Sequence, residues 1–485
     1  MISGTAMRTK TGYVLLLTVV SFITVSRLTY CVDDGYIFAR VARNFLRGQG
    51  WSFNPGEPVN AMTSVLWTLV LVPTTALGPI TSPTMAVLFG ICVFLLSAAI
   101  ASFWAHSCTK RTGYLLAAAC AACPTLWDSV GLETALEAAL VAWTIVAYSR
   151  NRVWLAGVLL GLAILGRPDA GLLGVTLISW SLWRRRQILW QTPVAAGLVV
   201  APWAMFAYHK FGSVVPVTLQ AKTIQSSLGW WGQQPPFAVS ALLHDGWPLV
   251  ALAVAIAALV LAPRMSTRMP LGARIMVSYG IVHAIAYTVI RAPSGYFWYF
   301  VPLHLSLILG AGWGAIVLVV HMRHKLAASA SRLGGLASTS AIAVLAIVGV
   351  FVLVTVVRGG SYRQAELYKQ VAAAIKTRSS IGDRVAAVEI GYIGYFSDRP
   401  VIDIHGLIHP EALPRIARGE SLWWLDQRPR FVVTHQPSWD AEPGPRGSPP
   451  EASASFVEEY ETIERFGVDS AVVLWRRRSE QTLAP

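Results

Sequence analysis

Apolar runs of membrane-spanning length recur along this chain from Thr11 to Val357. A backbone that crosses hydrocarbon must satisfy its own N–H and C=O groups, so each run reads as a helix. Of the 485 residues, 54% are hydrophobic and 13% charged. The net charge of +14 then reads as loop charge that sets topology, not as a nucleic-acid footprint. Arg8 and Lys10 precede a first run that lacks a small-residue cleavage site, which predicts an uncleaved anchor.

The basic loops assign the sides. Lys110/Arg111, Arg150/Arg152, Arg184–Arg186, Arg264/Arg268 and His321–Lys325 are expected in the cytoplasm. Spans at Gly12–Tyr30, 84–105, 113–127, 133–149, 153–166, 169–183, 188–208, 247–262, 272–291, 297–320 and 336–357 alternate without conflict only if Ser64–Leu77 does not cross. That run is therefore expected to be a juxtamembrane or re-entrant helix. The predicted fold is an α-helical polytopic membrane protein of about eleven spans. Its N-terminus lies inside, and a small α/β domain follows outside. The expected division is a membrane domain over 1–357 and an extracytoplasmic domain over 358–485. In the latter, Ser361–Thr377 reads as an amphipathic helix. Arg384–Val388, Pro400–Ile404, Arg430–Thr434 and Ala471–Trp475 read as strands, and Gln436–Ser453 as a mobile loop.

With this topology the acidic residues gather at the outer ends of the spans. Asp33 and Asp34 stand where the first span ends, and two adjacent carboxylates there need a partner or a water-filled cavity. They either cap the next helix or supply a base to a sugar hydroxyl, and one can do each. From Tyr36 the pattern is amphipathic, with Arg40, Arg43 and Arg47 on one face, as in a helix lying at the interface with its basic side towards lipid phosphate or a cavity. Arg27 is expected to snorkel. Glu133 serves a helix dipole or the cavity, and Arg167 pairs with Asp169 or meets a donor phosphate or sugar. Lys222 is a solvated surface cation or a phosphate clamp. Trp230/Trp231 and Tyr296–Tyr299 are belt residues or stack on sugar. Cys120 and Cys123 have no ligand companions and read as core, and Gly406 and Pro410 argue against a metal site at His405 and His409.

These stretches resemble the GT-C glycosyltransferases, membrane enzymes that use polyprenyl-phosphate sugars, and within them the actinobacterial arabinofuranosyltransferase-like and protein O-mannosyltransferase-like branch. The matching residues are Asp33-Asp34-Gly35-Tyr36-Ile37 with Arg40, Phe53-Asn54-Pro55-Gly56-Glu57, Thr63-Ser64-Val65-Leu66-Trp67 and Gly131-Leu132-Glu133-Thr134. Arg167-Pro168-Asp169-Ala170-Gly171, Pro216–Lys222 and Gly391–Asp403 complete them. The resemblance implies inverting transfer from a polyprenyl-phosphate sugar to an extracytoplasmic glycan, lipid or protein. Asp33 or Asp34 would be the base, and Arg40, Arg43, Glu133, Arg167, Asp169, Lys222 and Tyr299 would line the substrate site. Some relatives hold a divalent metal, so one is left open here. The tail is shorter than in the longer arabinofuranosyltransferases, and Gly35 departs from the usual residue.

Two other classes compete. A lipid-linked-sugar flippase would need polar residues near mid-span and usually a repeat; here the charges gather at the outer ends and no repeat is evident. A non-catalytic envelope-assembly protein would not need the acidic pair.

Overall fold

The computed structural model describes residues 2–105, 110–230, 232, 234–262, 269–327, 348–358 and 364–478. In chain order the helices begin with α1 (Ile2–Ser26), α2 (Asp33–Leu46), α3 (Val65–Leu77), α4 (Ser82–Ser102), α5 (Lys110–Ala121), α6 (Pro124–Trp127) and α7 (Thr134–Ser149). Next come α8 (Val153–Gly166), α9 (Gly171–Arg185), α10 (Gln191–Phe211), α11 (Val217–Ser227), α12 (Phe237–Leu243), α13 (Trp247–Leu261), α14 (Leu271–Val289) and α15 (Val301–Ala327). The remainder are α16 (Val348–Arg358), α17 (Gln364–Arg378), α18 (Ile390–Ser397), α19 (Leu413–Ala417) and α20 (Ala454–Glu459). Contacts divide the chain into two compact units. One holds Met1–Tyr30, Ser82–Pro202 and Gln234–Ser361; the other holds Cys31–Thr81, Trp203–Gln233 and Tyr362–Pro485.

The first unit is helical. Among the described residues, Ser82–Ser102, Gln191–Phe211 and Phe297–His321 are long and apolar enough to cross a membrane. A fourth span is reached if α12 and α13, bent by 98° at their junction, count as one. Lys10–Ser26, Thr134–Ser149, Val153–Gly166 and Val348–Arg358 are shorter apolar helices. The expected basic loop at Arg264/Arg268 and the first part of the 336–357 span lie outside the described residues. Small residues let the helices approach closely. A side-chain carbon at Gly90 would collide with Thr24 of α1, one at Gly157 with the Thr192 carbonyl of α10, and one at Gly280 with Ser306 of α15.

Arg27 does not snorkel. It is fully buried, and its Nη2 donates to Asp128 Oδ1 at 2.9 Å and to the Thr355 carbonyl at 2.8 Å. A carboxylate within reach makes burial less costly than it would be for a lone cation. Arg358 binds the other Asp128 oxygen at 2.9 Å.

The second unit is built on a five-stranded mixed sheet in the order β4-β3-β5-β7-β6. Strands β3 (Val385–Ala387), β4 (Val401–Asp403) and β5 (Phe431–His435) run parallel, and β6 (Tyr460–Phe466) and β7 (Val472–Arg477) extend it antiparallel. A separate two-stranded ladder joins β1 (Ser52–Asn54) to β2 (Glu57–Pro58). Four strands fall where the apolar runs predict them. Strand β6, Tyr-Glu-Thr-Ile-Glu-Arg-Phe, escapes because it is an edge strand with mostly polar residues.

Two expectations are corrected here. Helix α2 is not a helix lying free at an interface. Tyr36, Ile37, Phe38, Ala39, Arg40, Val41, Ala42 and Asn44 are all buried, against α3 and α18 among others. Nor is Gln436–Ser453 a mobile loop. Glu442 is buried there, accepting from the His435 amide at 3.0 Å and the Trp439 amide at 2.8 Å, so a carboxylate ties the loop to the end of β5.

Candidate active site

Parallel strands present their carboxyl ends on one edge, which in α/β sheets is where ligands bind. In the second unit, β3 runs out into Glu389, β4 into Asp403-Ile404-His405, and β5 ends at His435. Asp33 and Asp34, in the first turn of α2, lie in this unit too.

The two aspartates divide their tasks. Val32 is the N-cap of α2, and its side chain makes no capping hydrogen bond. Asp33 instead caps a different helix. Its Oδ2 accepts from the Gly391 amide at 2.9 Å and its Oδ1 from the Tyr392 amide at 2.7 Å, in the first turn of α18. Gly391 is required for this approach, since a side-chain carbon there would strike the Asp33 carbonyl. Burial, then Glu389, push the Asp33 carboxyl well above the usual carboxylate range, against the pull of the Tyr392 amide. Asp34 makes no such cap. Its side chain is 30% exposed, and Oδ2 faces Lys222 Nζ at 3.7 Å. Residues about 100° apart on a helix can part in this way.

Lys222 sits on α11, which is held from the sheet edge. Gln225 Nε2 donates to the His405 carbonyl at 2.9 Å, and the Trp230 ring lies 5.2 Å from that of His405. Trp231 lies outside the described residues.

Arg40 and Arg43 do not form an open basic face. Arg40 is buried and directs its guanidinium at carbonyls: Nε to Phe53 at 2.8 Å, Nη2 to Arg399 at 2.7 Å, and Nη1 to Gly394. Arg43 donates to the Tyr395 carbonyl at 2.9 Å and to Asp398 Oδ1 at 2.7 Å. Asp398 also takes Arg47 at 3.2 Å, and against its burial the two arginines hold it below the usual carboxylate range. These cations lock α2 to α18 because unsatisfied carbonyls at a helix end attract them.

The other expected residues meet in the first unit. Arg167 binds Asp169 through Nε at 3.2 Å and Nη2 at 2.8 Å, with Glu133 Oε1 3.7 Å away and the Tyr299 ring centre 4.6 Å from its guanidinium carbon. Sequence reading missed four members of this cluster. Tyr287 donates to Asp169 Oδ2 at 2.8 Å, His283 Nε2 lies 3.0 Å from the same oxygen, and Tyr279 donates to Glu137 Oε1 at 3.0 Å. The signal was there: Glu137 and His283 are ionisable groups inside apolar runs. Among the described residues, Arg167 Nη1 and Glu137 Oε2 are buried without a hydrogen-bond partner. Among the described residues, too, no group of three or more His, Cys, Asp or Glu side chains is placed to hold a metal ion.

A helical chain of this kind, ending in a small mixed-sheet domain, is similar in fold to solved structures of two membrane proteins, ArnT and AftD. It superposes over 98% of its length on 99% of ArnT from Cupriavidus metallidurans bound to undecaprenyl phosphate, with a TM-score of 0.62 at 13% identity. It also superposes over 96% of its length on 40% of the arabinofuranosyltransferase AftD from Mycobacteria, with a TM-score of 0.52 at 13% identity. In sequence it is 30% identical over 221 residues to a terminal β-(1→2)-arabinofuranosyltransferase of Mycobacterium tuberculosis. That alignment takes in 40% of this chain and 35% of the relative. A family model described as Domain of unknown function (DUF8728) matches residues 357–483.

Proposed function

We propose that this protein transfers a sugar, with inversion, from a polyprenyl-phosphate donor to an extracytoplasmic glycan, lipid or protein, with Asp34 as general base. The acceptor hydroxyl gives its proton to Asp34 as its oxygen attacks the anomeric carbon. The carbon–oxygen bond to phosphate breaks, and its electron pair leaves with the polyprenyl phosphate. A sugar hydroxyl is a poor nucleophile and lipid phosphate a competent leaving group, so a base and positioning are what the protein must add.

The observation that carries this reading is the split between the aspartates. Asp33 is committed to the α18 amides, whereas Asp34 is partly exposed and faces Lys222. Lys222 is then the cation that meets the donor phosphate. The undecaprenyl phosphate bound to ArnT is the kind of polyprenyl phosphate that such a donor releases, and the mycobacterial relatives favour arabinofuranosyl transfer in envelope assembly. In this account the membrane part spans about eleven times over 1–357, and 358–485 lies outside with the site.

The test is transfer of labelled sugar from lipid-linked donor to added acceptor by the purified, detergent-solubilised protein. Transfer with inversion supports the proposal; donor binding without transfer contradicts it and favours a carrier.

A further inference from the structure

Glu389 stands at the N-cap position of α18, yet its side chain does not cap that helix. Asp33 does so in its place. The Glu389 side chain is 15% exposed and turns towards His435, with Oε2 3.7 Å from Nε2 and, among the described residues, no hydrogen bond to that oxygen. His435 is held rigidly. Its Nδ1 meets Glu442 Oε1 at 2.7 Å, the Tyr368 hydroxyl lies 2.7 Å from Nε2, and its ring stacks on Trp439 at 3.5 Å. Because Asp33 accepts from the Gly391 and Tyr392 amides, the start of α2, with Asp34 next in line, is held beside the helix end that Glu389 opens.

We propose that Glu389 is a positioning residue of the transfer site, which by gaining or losing a proton sets the charge beside Asp34 and Lys222 and so controls binding of the anionic donor. This rests on the function proposed above. The charged and titratable groups around it are Asp33 and Asp34 on α2, Tyr368 on α17, His435 on β5 and Glu442 beyond it. Burial pushes the Glu389 carboxyl up to about 7, with His435 opposing and Glu442 and Asp34 adding to the rise. Burial resists the charge on His435, but Glu389 and Glu442 hold its imidazolium above the ordinary histidine range. Below neutrality Glu389 is protonated, and Lys222 faces the donor phosphate with Asp34 as its carboxylate partner. Above neutrality Glu389 adds a second negative charge, which a phosphodiester donor must approach.

The experiment is donor KM and kcat from about pH 6 to about pH 8 for the full chain, read with the infrared carboxyl band of Glu389. The expected result is a donor KM that rises about fivefold across neutrality as one charge appears nearby, together with loss of the carboxyl band. Glu389→Gln abolishes both changes. His435→Gln removes the cation that favours ionised Glu389 and moves both to higher pH, which keeps the test open if Glu389→Gln does not fold. A flat wild-type KM, or a rise that persists in Glu389→Gln, overturns the inference. Absence of transfer by the wild type at every pH would instead overturn the proposed function.

Discussion

Asp33 caps the helix whose N-cap position belongs to Glu389. Of two carboxylates about 350 residues apart in sequence, the distant one does the capping, because the Asp33 oxygens reach the Gly391 and Tyr392 amides while Glu389 turns to His435. The consequence is that the start of α2, and Asp34 with it, is fixed by the backbone of the tail.

Gly391 is the point where this joint tolerates least. Gly391→Ala would push a methyl group into the Asp33 carbonyl, at about 1–3 kcal/mol. Thermal unfolding should show the loss, and transfer should fall with donor binding less affected. Asp33→Asn keeps one acceptor oxygen, so it is expected to lose about 1 kcal/mol and retain measurable transfer.

Arg40 is expected to act on stability. Arg40→Lys cannot reach three carbonyls at once, and each charged hydrogen bond lost costs about 1.5–3 kcal/mol. Denaturation of the solubilised protein should show it, while donor KM in the folded fraction stays close to wild type. A large change in donor KM with unchanged stability would restore Arg40 to the substrate site.

The outline of the fold was legible because apolar length and charged loops are local signals. Helices α4, α7, α8, α10, α13 and α14 lie where the runs predict them. What was not legible depended on partners distant in sequence. The basic stripe of Arg40 and Arg43 reads as a face towards lipid phosphate or a cavity because the Gly394, Arg399 and Tyr395 carbonyls that bind it lie more than 350 residues on. Asp33 and Asp34 were legible as a pair but not as two roles, since the Gly391 amide is equally remote. Glu133, Arg167, Asp169 and Tyr299 do come together, joined by His283 and Tyr287; an ionisable letter in an apolar run marks His283, but not its partner Asp169, 114 residues away.

Arg167→Ala should destabilise before it alters kinetics. It would strand the Asp169 carboxylate in a buried cluster, a loss of about 3–5 kcal/mol. Low yield and a lower Tm are expected, and Arg167→Lys should recover only part because the two-point contact is lost. Normal stability with weakened donor use would instead mark Arg167 as a donor contact.

Glu389 also predicts how stability varies with pH. Its folded-state value is raised, so its contribution is complete below the ordinary glutamate range and is lost as pH rises through about 7. The loss is of order 3 kcal/mol. Wild type should therefore lose more Tm between about pH 5 and about pH 8 than Glu389→Gln does. Equal slopes would contradict the burial of that carboxyl.

The most direct test of the account is the transfer rate of Asp34→Asn at saturating donor, with donor binding measured on the same preparation. Asn keeps the size of Asp34 and removes its basicity, and loss of a general base costs about 10²–10⁴-fold. The account predicts a fall of that size in a protein that is folded and still binds donor. Transfer by Asp34→Asn at close to the wild-type rate would contradict it.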